Sequence, residues 1–428
     1  MFSTRLQCET CGNELELGAY FGPCPNCLKR EIISEISVKY DYEAIKNVLS
    51  KEVLSKRSRI DLWRFGEFLP VENQKNELHL GDGCTPLIEA RSLAKEFGIK
   101  RLYIKDESRN LTWSFKDRLA CVGVARALDF GTKMITGLST GNHGAASAAH
   151  ASAAGLRSVI FTVPYIPKTM EIYMRMVGAM LVPIDLPEDK FGDYPYDILR
   201  TCVEKLNWYP LTAYTVPPAT NAYAVEGYKT IGHEICEDLN WKSPDFVLFP
   251  TGQGDGFSKY WKGFSEMVTV GFVEDSPKMI AVQPTGASPL AEAVTHGLDV
   301  VPRIAAKSTV QFSTGVSSSS NEALKAIKIS HGSVATVSDE EAISAQKNLG
   351  MKEGIFSEQS SASSVAALPS LIEKGIIDRD STVVCVITSS GLKDTSVPEN
   401  NLPHISPIRN NWSSFVDFLK TTYQYDIS

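Results

Sequence analysis

The stretch Asn110-Leu111-Thr112-Trp113-Ser114-Phe115-Lys116-Asp117-Arg118 decides how this chain is read. An apolar run at 102–106 precedes it, and a helix-period run at 115–130 follows it. The pattern puts a lone lysine where a strand hands over to a helix. An amine at such a turn, partly removed from water, has a lowered pKa and can form a Schiff base with an aldehyde. By itself, Lys-Asp-Arg at a helix start is equally a solvated surface run. Lys116 gains its meaning from the segments around it.

From about Glu77 the chain alternates between two patterns. Short, apolar, often β-branched runs at 102–105, 133–138, 158–163, 180–184, 246–249, 279–282 and 383–388 read as strands buried on both faces. Helix-period segments fall at 142–154, 168–177, 196–207, 223–239, 257–267, 340–349 and 360–374, with a further one upstream at 41–56. Such alternation predicts an α/β chain with mainly parallel sheets and helices on both faces. The serine run at 317–320, beside Gly315, reads as a flexible loop.

A length of 428 residues predicts two or three domains. A formal net charge of −7 argues against a general nucleic-acid binder. No apolar run approaches the roughly 20 residues that cross a bilayer, so no membrane role is expected. The first residues, Met-Phe-Ser-Thr-Arg-Leu-Gln-Cys, lack an apolar signal core, which makes a cytoplasmic location the default. Of nine cysteines, Cys84, Cys121, Cys202, Cys236 and Cys385 stand singly and read as small core residues. The other four form two CxxC pairs, Cys8/Cys11 and Cys24/Cys27. Their spacing matches a four-thiolate zinc ribbon; four free thiols are the bland alternative.

Three further segments join strands to helices. Ser139-Thr140-Gly141-Asn142-His143-Gly144 opens an Ala-rich helix, whose start suits an anion such as a substrate carboxylate. Ser139 or Thr140 serves equally well as a plain N-cap, and His143 as a packed polar residue. Gly252-Gln253-Gly254-Asp255-Gly256 has glycines at alternate positions, so its backbone amides can cradle a phosphate. It matches neither a Walker loop nor a dinucleotide fingerprint, and the Asp255 carboxylate is expected to point away. Thr388-Ser389-Ser390 ends a buried strand with hydroxyls. One of them facing a pyridine nitrogen would leave that nitrogen largely unprotonated. Amine, phosphate cradle and hydroxyl together suit pyridoxal 5'-phosphate.

In this order the segments resemble the threonine synthase branch of the fold type II, tryptophan synthase β-like pyridoxal enzymes. Gly81-Asp82-Gly83-Cys84-Thr85-Pro86-Leu87, Glu226-Gly227 with Thr230, Val282-Gln283-Pro284, and Glu353-Gly354 with Phe356 and Glu358 add to the match over roughly residues 77–395. The resemblance implies two open, twisted, mainly parallel-sheet domains plus the small amino-terminal module. The expected divisions are 1–40 for the module, 41–120 with 215–428 for a large domain, and 121–214 for a small inserted one. It also implies that Lys116 is the Schiff-base lysine and that Asn142 binds the ring hydroxyl oxygen. Gly252, Gln253, Gly254, Asp255 and Gly256 would hold the cofactor phosphate, and Thr388 would face the ring nitrogen. Ser139, Thr140, His143 and Thr85 would bind substrate. A homodimer is common in such enzymes.

The pattern departs from the family at Leu111, Trp113 and Leu119, which stand where the family usually has Pro, Gly and Gly. The resemblance implies a lyase that releases a β- or γ-leaving group from an amino acid, with O-phosphohomoserine to threonine plus phosphate foremost. Lys168, Arg175, Lys105 and Arg109 are the cations whose positions suit a substrate phosphate. The alternatives are β-replacement on phosphoserine or another activated serine, which a bulky Trp113 favours, and a dehydratase or ammonia-lyase. A non-catalytic binding protein on the same fold is the reading from outside the class.

Overall fold

In the computed structural model, residues 1–139, 141–164, 166–185, 196–216 and 218–427 are described. Met1–Lys393 forms one compact unit and Asp394–Ser428 a second. The second carries the helices Ser396–Asn401 and Trp412–Tyr423, the latter capped by Asn411, whose side chain accepts from Ser414 N at 2.9 Å.

The first unit is built on three sheets. The largest has six strands in the order Ser333–Val337, Lys278–Pro284, Phe246–Pro250, Thr382–Ile387, Arg101–Asp106 and Leu87–Glu89. All its pairings are parallel except the last, at the Leu87–Glu89 edge. Its central strands are buried along almost their whole length, because helices cover both faces. A four-stranded parallel sheet runs Met180–Pro183, Arg157–Thr162, Met134–Leu138, Tyr209–Pro210. A small antiparallel sheet joins Glu14–Leu15, Ser3–Cys8 and Ile36–Tyr40 around the CxxC pairs.

All seven anticipated strands are present. Three anticipated helices are each two. The segment 41–56 breaks at Leu49, where Ser50 starts a second helix by accepting from Val53 N at 3.2 Å. The segment 360–374 divides into Gln359–Ala366 and Leu368–Glu373, with a proline in the first turn of the second. The segment 223–239 is a 3-10 turn, Ala224–Lys229, followed by an α-helix, Thr230–Asp238. The helix of Arg118 approaches this turn so closely that position 227 admits only glycine. A Cβ on Gly227 would lie 2.0 Å from the Arg118 carbonyl oxygen.

The serine run at 317–320 is buried rather than a flexible loop. Ser319 Oγ donates to Gly252 O at 2.7 Å, and Ser320 caps the helix Asn321–Ile329. Its hydroxyls replace solvent for backbone groups of the glycine loop, which polarity alone did not reveal.

Below the Lys116 helix lies a buried ionic cluster. Arg118 donates to both oxygens of Glu107 at 2.7 and 2.8 Å and to both of Glu234 at 2.6 and 2.8 Å. It also reaches Thr230 Oγ1 at 2.8 Å and Thr85 Oγ1 at 3.2 Å. Arg118, Glu107 and Glu234 are all fully buried. Burial opposes ionisation of Glu234, yet Arg118 and Lys105 outweigh it and hold the carboxyl well below its ordinary range. Removing one partner of such a cluster strands the others in a medium that cannot solvate them. Arg118→Met is therefore expected to lower unfolding free energy by about 3–5 kcal/mol in denaturant titrations. A loss under about 1 kcal/mol would contradict this role.

A second buried pair ties the helix Asn142–Ala153 to the 81–85 turn. His150 Nε2 lies 2.8 Å from Asp82 Oδ2, with both side chains fully buried. Burial opposes the imidazolium, but Asp82 prevails and raises its pKa to about 9. A histidine raised on folding gives stability that is complete below about 6.5 and disappears as pH rises through the folded value. Between those points the native protein is expected to lose roughly 3 kcal/mol that His150→Gln does not lose. Parallel stability profiles for the two proteins would refute the pairing.

Candidate active site

The carboxyl ends of four strands converge on one cavity of about 120 Å³. Arg101–Asp106 leads to Lys116, Met134–Leu138 to Ser139 and Asn142, Phe246–Pro250 to the glycine loop, and Thr382–Ile387 to Thr388. Ligands of open parallel sheets bind at such ends.

Lys116 is the first residue of the helix Lys116–Asp129. The loop before it is pinned to the neighbouring strand end: Phe115 N donates to Thr388 O at 3.0 Å, and Ser390 N to Trp113 O at 3.1 Å. Trp113 adopts φ +62°, a left-handed conformation that costs a bulky residue energy, where the family pattern has glycine. Its indole is 44% exposed and packs on the Tyr173 ring at 5.8 Å. Lys116 Nζ lies 3.0 Å from the Tyr228 hydroxyl and 4.5 Å from the centre of the Phe115 ring. Burial pushes its pKa down, against the charges of Asp255 and Glu358. A neutral amine at that position is a nucleophile and a base.

The glycine loop meets the start of the helix Asp255–Thr269. No side chain caps this helix, so its first amides are available to an anion. Gly254 sits at φ +92°, and a Cβ there would lie 2.6 Å from Ala323 Cβ. Asp255 lines the cavity, as do Gly252, Gln253, Gly254 and Gly256. Gln253 Nε2 donates to the Tyr196 hydroxyl at 3.1 Å.

Of the other anticipated residues, Ser139, Asn142, His143 and Thr388 also line the cavity. Ser139 Oγ accepts from Gly144 N at 2.8 Å and Gly141 N at 3.2 Å, so it performs the capping role and still has a proton to donate. His143 is held neutral by burial and by the neighbouring Lys116 charge. Its buried Nε2 has no hydrogen-bond partner among the described residues. Thr388 Oγ1 lies 2.7 Å from Ser361 Oγ. Thr85 is not among the lining residues; it donates to Glu107 Oε1 at 2.6 Å inside the Arg118 cluster. Thr140 falls outside the described residues.

None of the four cations suggested for a substrate phosphate is among the lining residues. Lys168 and Arg175 both pair with Glu171 on the surface, and Arg109 pairs with Asp106. Lys105 is fully buried against Glu234 and Asp238. Three residues without a role in the sequence reading do belong here: Tyr228, Glu358 and Lys393. Glu358 stands inside a quoted motif and Lys393 three residues after Ser390, but spacing alone does not say which way they face. Glu358 is raised by burial, Asn142 Nδ2 donates to its Oε2 at 3.0 Å, and its Oε1 has no partner among the described residues.

The donor set fits an aromatic aldehyde phosphate. A depressed amine, an uncapped glycine-rich helix start, a strand-end hydroxyl and two orphaned buried polar atoms border one space. The cysteine module is equally suited to a metal. Four thiolates around zinc at about 2.3 Å stand about 3.8 Å apart in a tetrahedron. Cys8 to Cys27 and Cys11 to Cys24 each measure 3.7 Å, and all four sulfurs lie within 4.8 Å of one another.

Comparison with known proteins agrees with this geometry. Threonine synthase of Methanocaldococcus jannaschii is 37% identical over 392 residues, covering 91% of this chain and 92% of the relative. That of Methanosarcina acetivorans is 35% identical over 395 residues, covering 91% and 92%. The structure of maize serine racemase shares the fold, with a TM-score of 0.62 at 19% identity over 74% of this chain and 91% of that one. Residues 78–389 match the family described as pyridoxal-phosphate dependent enzyme, and the chain belongs to that family.

Proposed function

We propose that the chain is a threonine synthase, releasing phosphate from O-phosphohomoserine and adding water to give threonine. The observation that carries this reading is the 37% identity to a threonine synthase along nearly the full length of both chains. Pyridoxal phosphate, when bound, supplies an electron sink for the charge left on the substrate when a proton departs.

This chain's residues do the rest. Lys116 would hold the cofactor aldehyde through Nζ, and the same nitrogen is the base placed to take the substrate α-proton. Burial pushes its pKa down toward the range of a working base, and the Tyr228 hydroxyl 3.0 Å away orients it. The amides at the start of Asp255–Thr269 would hold the cofactor phosphate, and Asn142 would bind the ring oxygen. Ser139 and His143 receive the substrate carboxylate, His143 with an imidazole that burial keeps uncharged. Thr388 would offer the ring nitrogen a neutral hydroxyl, which leaves that nitrogen largely unprotonated.

Lys116→Ala is expected to yield a colourless protein whose phosphate release from O-phosphohomoserine falls by at least roughly 10³-fold. Retained colour with retained turnover would remove Lys116 from the mechanism. A second reading, β-replacement on O-phosphoserine, rests on the bulk of Trp113 three residues from the lysine, although its half-exposed indole is not among the cavity-lining residues. Phosphate release from O-phosphoserine in the presence of a thiol or sulfite, with none from O-phosphohomoserine, selects it.

The four cysteines are proposed to hold one structural zinc. Metal analysis is expected to find one zinc per chain, lost in Cys8→Ser/Cys27→Ser together with folding of the amino-terminal sheet. A zinc-free protein with the same thermal midpoint before and after chelation would contradict the metal.

A further inference from the structure

Asn142 faces the cavity with a primary amide, whose oxygen and nitrogen ends exchange by a half-turn about one bond. Only one orientation offers a proton to an oxyanion in the cavity; the other offers a lone pair and repels it. Something must choose between them.

The structure has two opposed groups that do so. Asn142 Oδ1 accepts from Lys393 Nζ at 2.7 Å and from Ser389 Oγ at 3.1 Å. Asn142 Nδ2 donates to Glu358 Oε2 at 3.0 Å and Ser313 Oγ at 3.3 Å. An ammonium carries protons and no lone pair, so the amide atom beside Lys393 has to be the oxygen. The two partners of Nδ2, Glu358 and Ser313, are cavity-lining residues, whereas Lys393 and Ser389 are not. The amide is therefore held oxygen-outward and NH2-inward.

Lys393 is itself only 2% exposed, at the end of the turn Gly391–Lys393. Its Nζ makes one hydrogen bond among the described residues, and the partner is this amide rather than a carboxylate. Burying an ammonium against a neutral partner is unfavourable in itself, which burial expresses by lowering its pKa to about 8. An orienting role gives that arrangement a purpose.

We propose that Lys393 is a positioning residue: its ammonium fixes the Asn142 amide so that the NH2 group points at the ring-oxygen position of the cofactor, with Glu358 occupying that NH2 until the cofactor takes it. The inference rests on the reading of Asn142 given above. It adds a specificity device, since the pocket then favours an anionic acceptor at that point.

The test is a double-mutant cycle read by pyridoxal phosphate binding to apo-protein and by the ratio of the two absorbance bands of the bound cofactor, which reports the proton on the ring oxygen. Lys393→Met is expected to weaken binding about tenfold, the scale of one charge-assisted hydrogen bond, and to change the band ratio. Lys393→Arg, which retains a cationic donor, restores both. In an Asn142→Ala background, Lys393→Met has no further effect. Lys393→Gln keeps a neutral donor and guards against a folding defect; it loses less, and again nothing further once Asn142 is gone. Equal losses from Lys393→Met with and without Asn142, or no loss at all, would overturn the proposal. If Asn142→Ala alone leaves binding and band ratio unchanged, the premise about Asn142 fails instead.

Discussion

Arg118 sits two residues after Lys116 on the same helix and is gripped from two sides by fully buried carboxylates. Glu107 belongs to the turn after the strand Arg101–Asp106, and Glu234 to the helix Thr230–Asp238. One guanidinium thus fixes the strand end, the lysine-bearing helix and its neighbour relative to one another. A planar fork with five donors can grip both oxygens of each of two carboxylates at once, which the single nitrogen of a lysine cannot. The charges are costly to bury, and geometric definition is the return. A reactive amine is only useful if its position is set to a fraction of an ångström.

Around that fixed point the site divides its tasks by chemistry. Burial among Phe115 and Tyr228 strips water from Lys116 and lowers its proton affinity. Backbone amides at a glycine-rich helix start supply a neutral anion slot that needs no cation. Buried serines behind the loop, Ser319 and Ser320, hold its carbonyl and its neighbouring helix in place. The Asn142 amide is set between a cation and a carboxyl, with its oxygen accepting from Lys393 and its nitrogen donating to Glu358.

Much of this was legible in the sequence because backbone-level devices leave strong marks. Alternating apolar runs and helix periods gave all seven named strands, and glycine at 252, 254 and 256 marked a loop that lines the cavity. Lys116 and Asn142 stood at strand-to-helix turns that the structure brings to one cavity. Side-chain direction was the part that spacing could not resolve. Thr85 looked like a substrate contact and instead completes the Arg118 cluster, because Glu107 and Glu234 come from distant segments. The phosphate cations were chosen by proximity in sequence, yet they pair with Glu171, Asp106, Glu234 and Asp238. Short edge elements such as Ser333–Val337, half-exposed and without a long apolar run, carried too weak a pattern to be read.

The account stands on a covalent bond between one side-chain nitrogen and a cofactor aldehyde. Borohydride reduction of the purified protein, followed by peptide mass spectrometry, examines that bond directly. A phosphopyridoxyl mass added to the peptide carrying Lys116, and to no other lysine, is the predicted result. An unmodified Lys116 peptide from protein that contains pyridoxal phosphate, or the adduct on a different lysine, would contradict it.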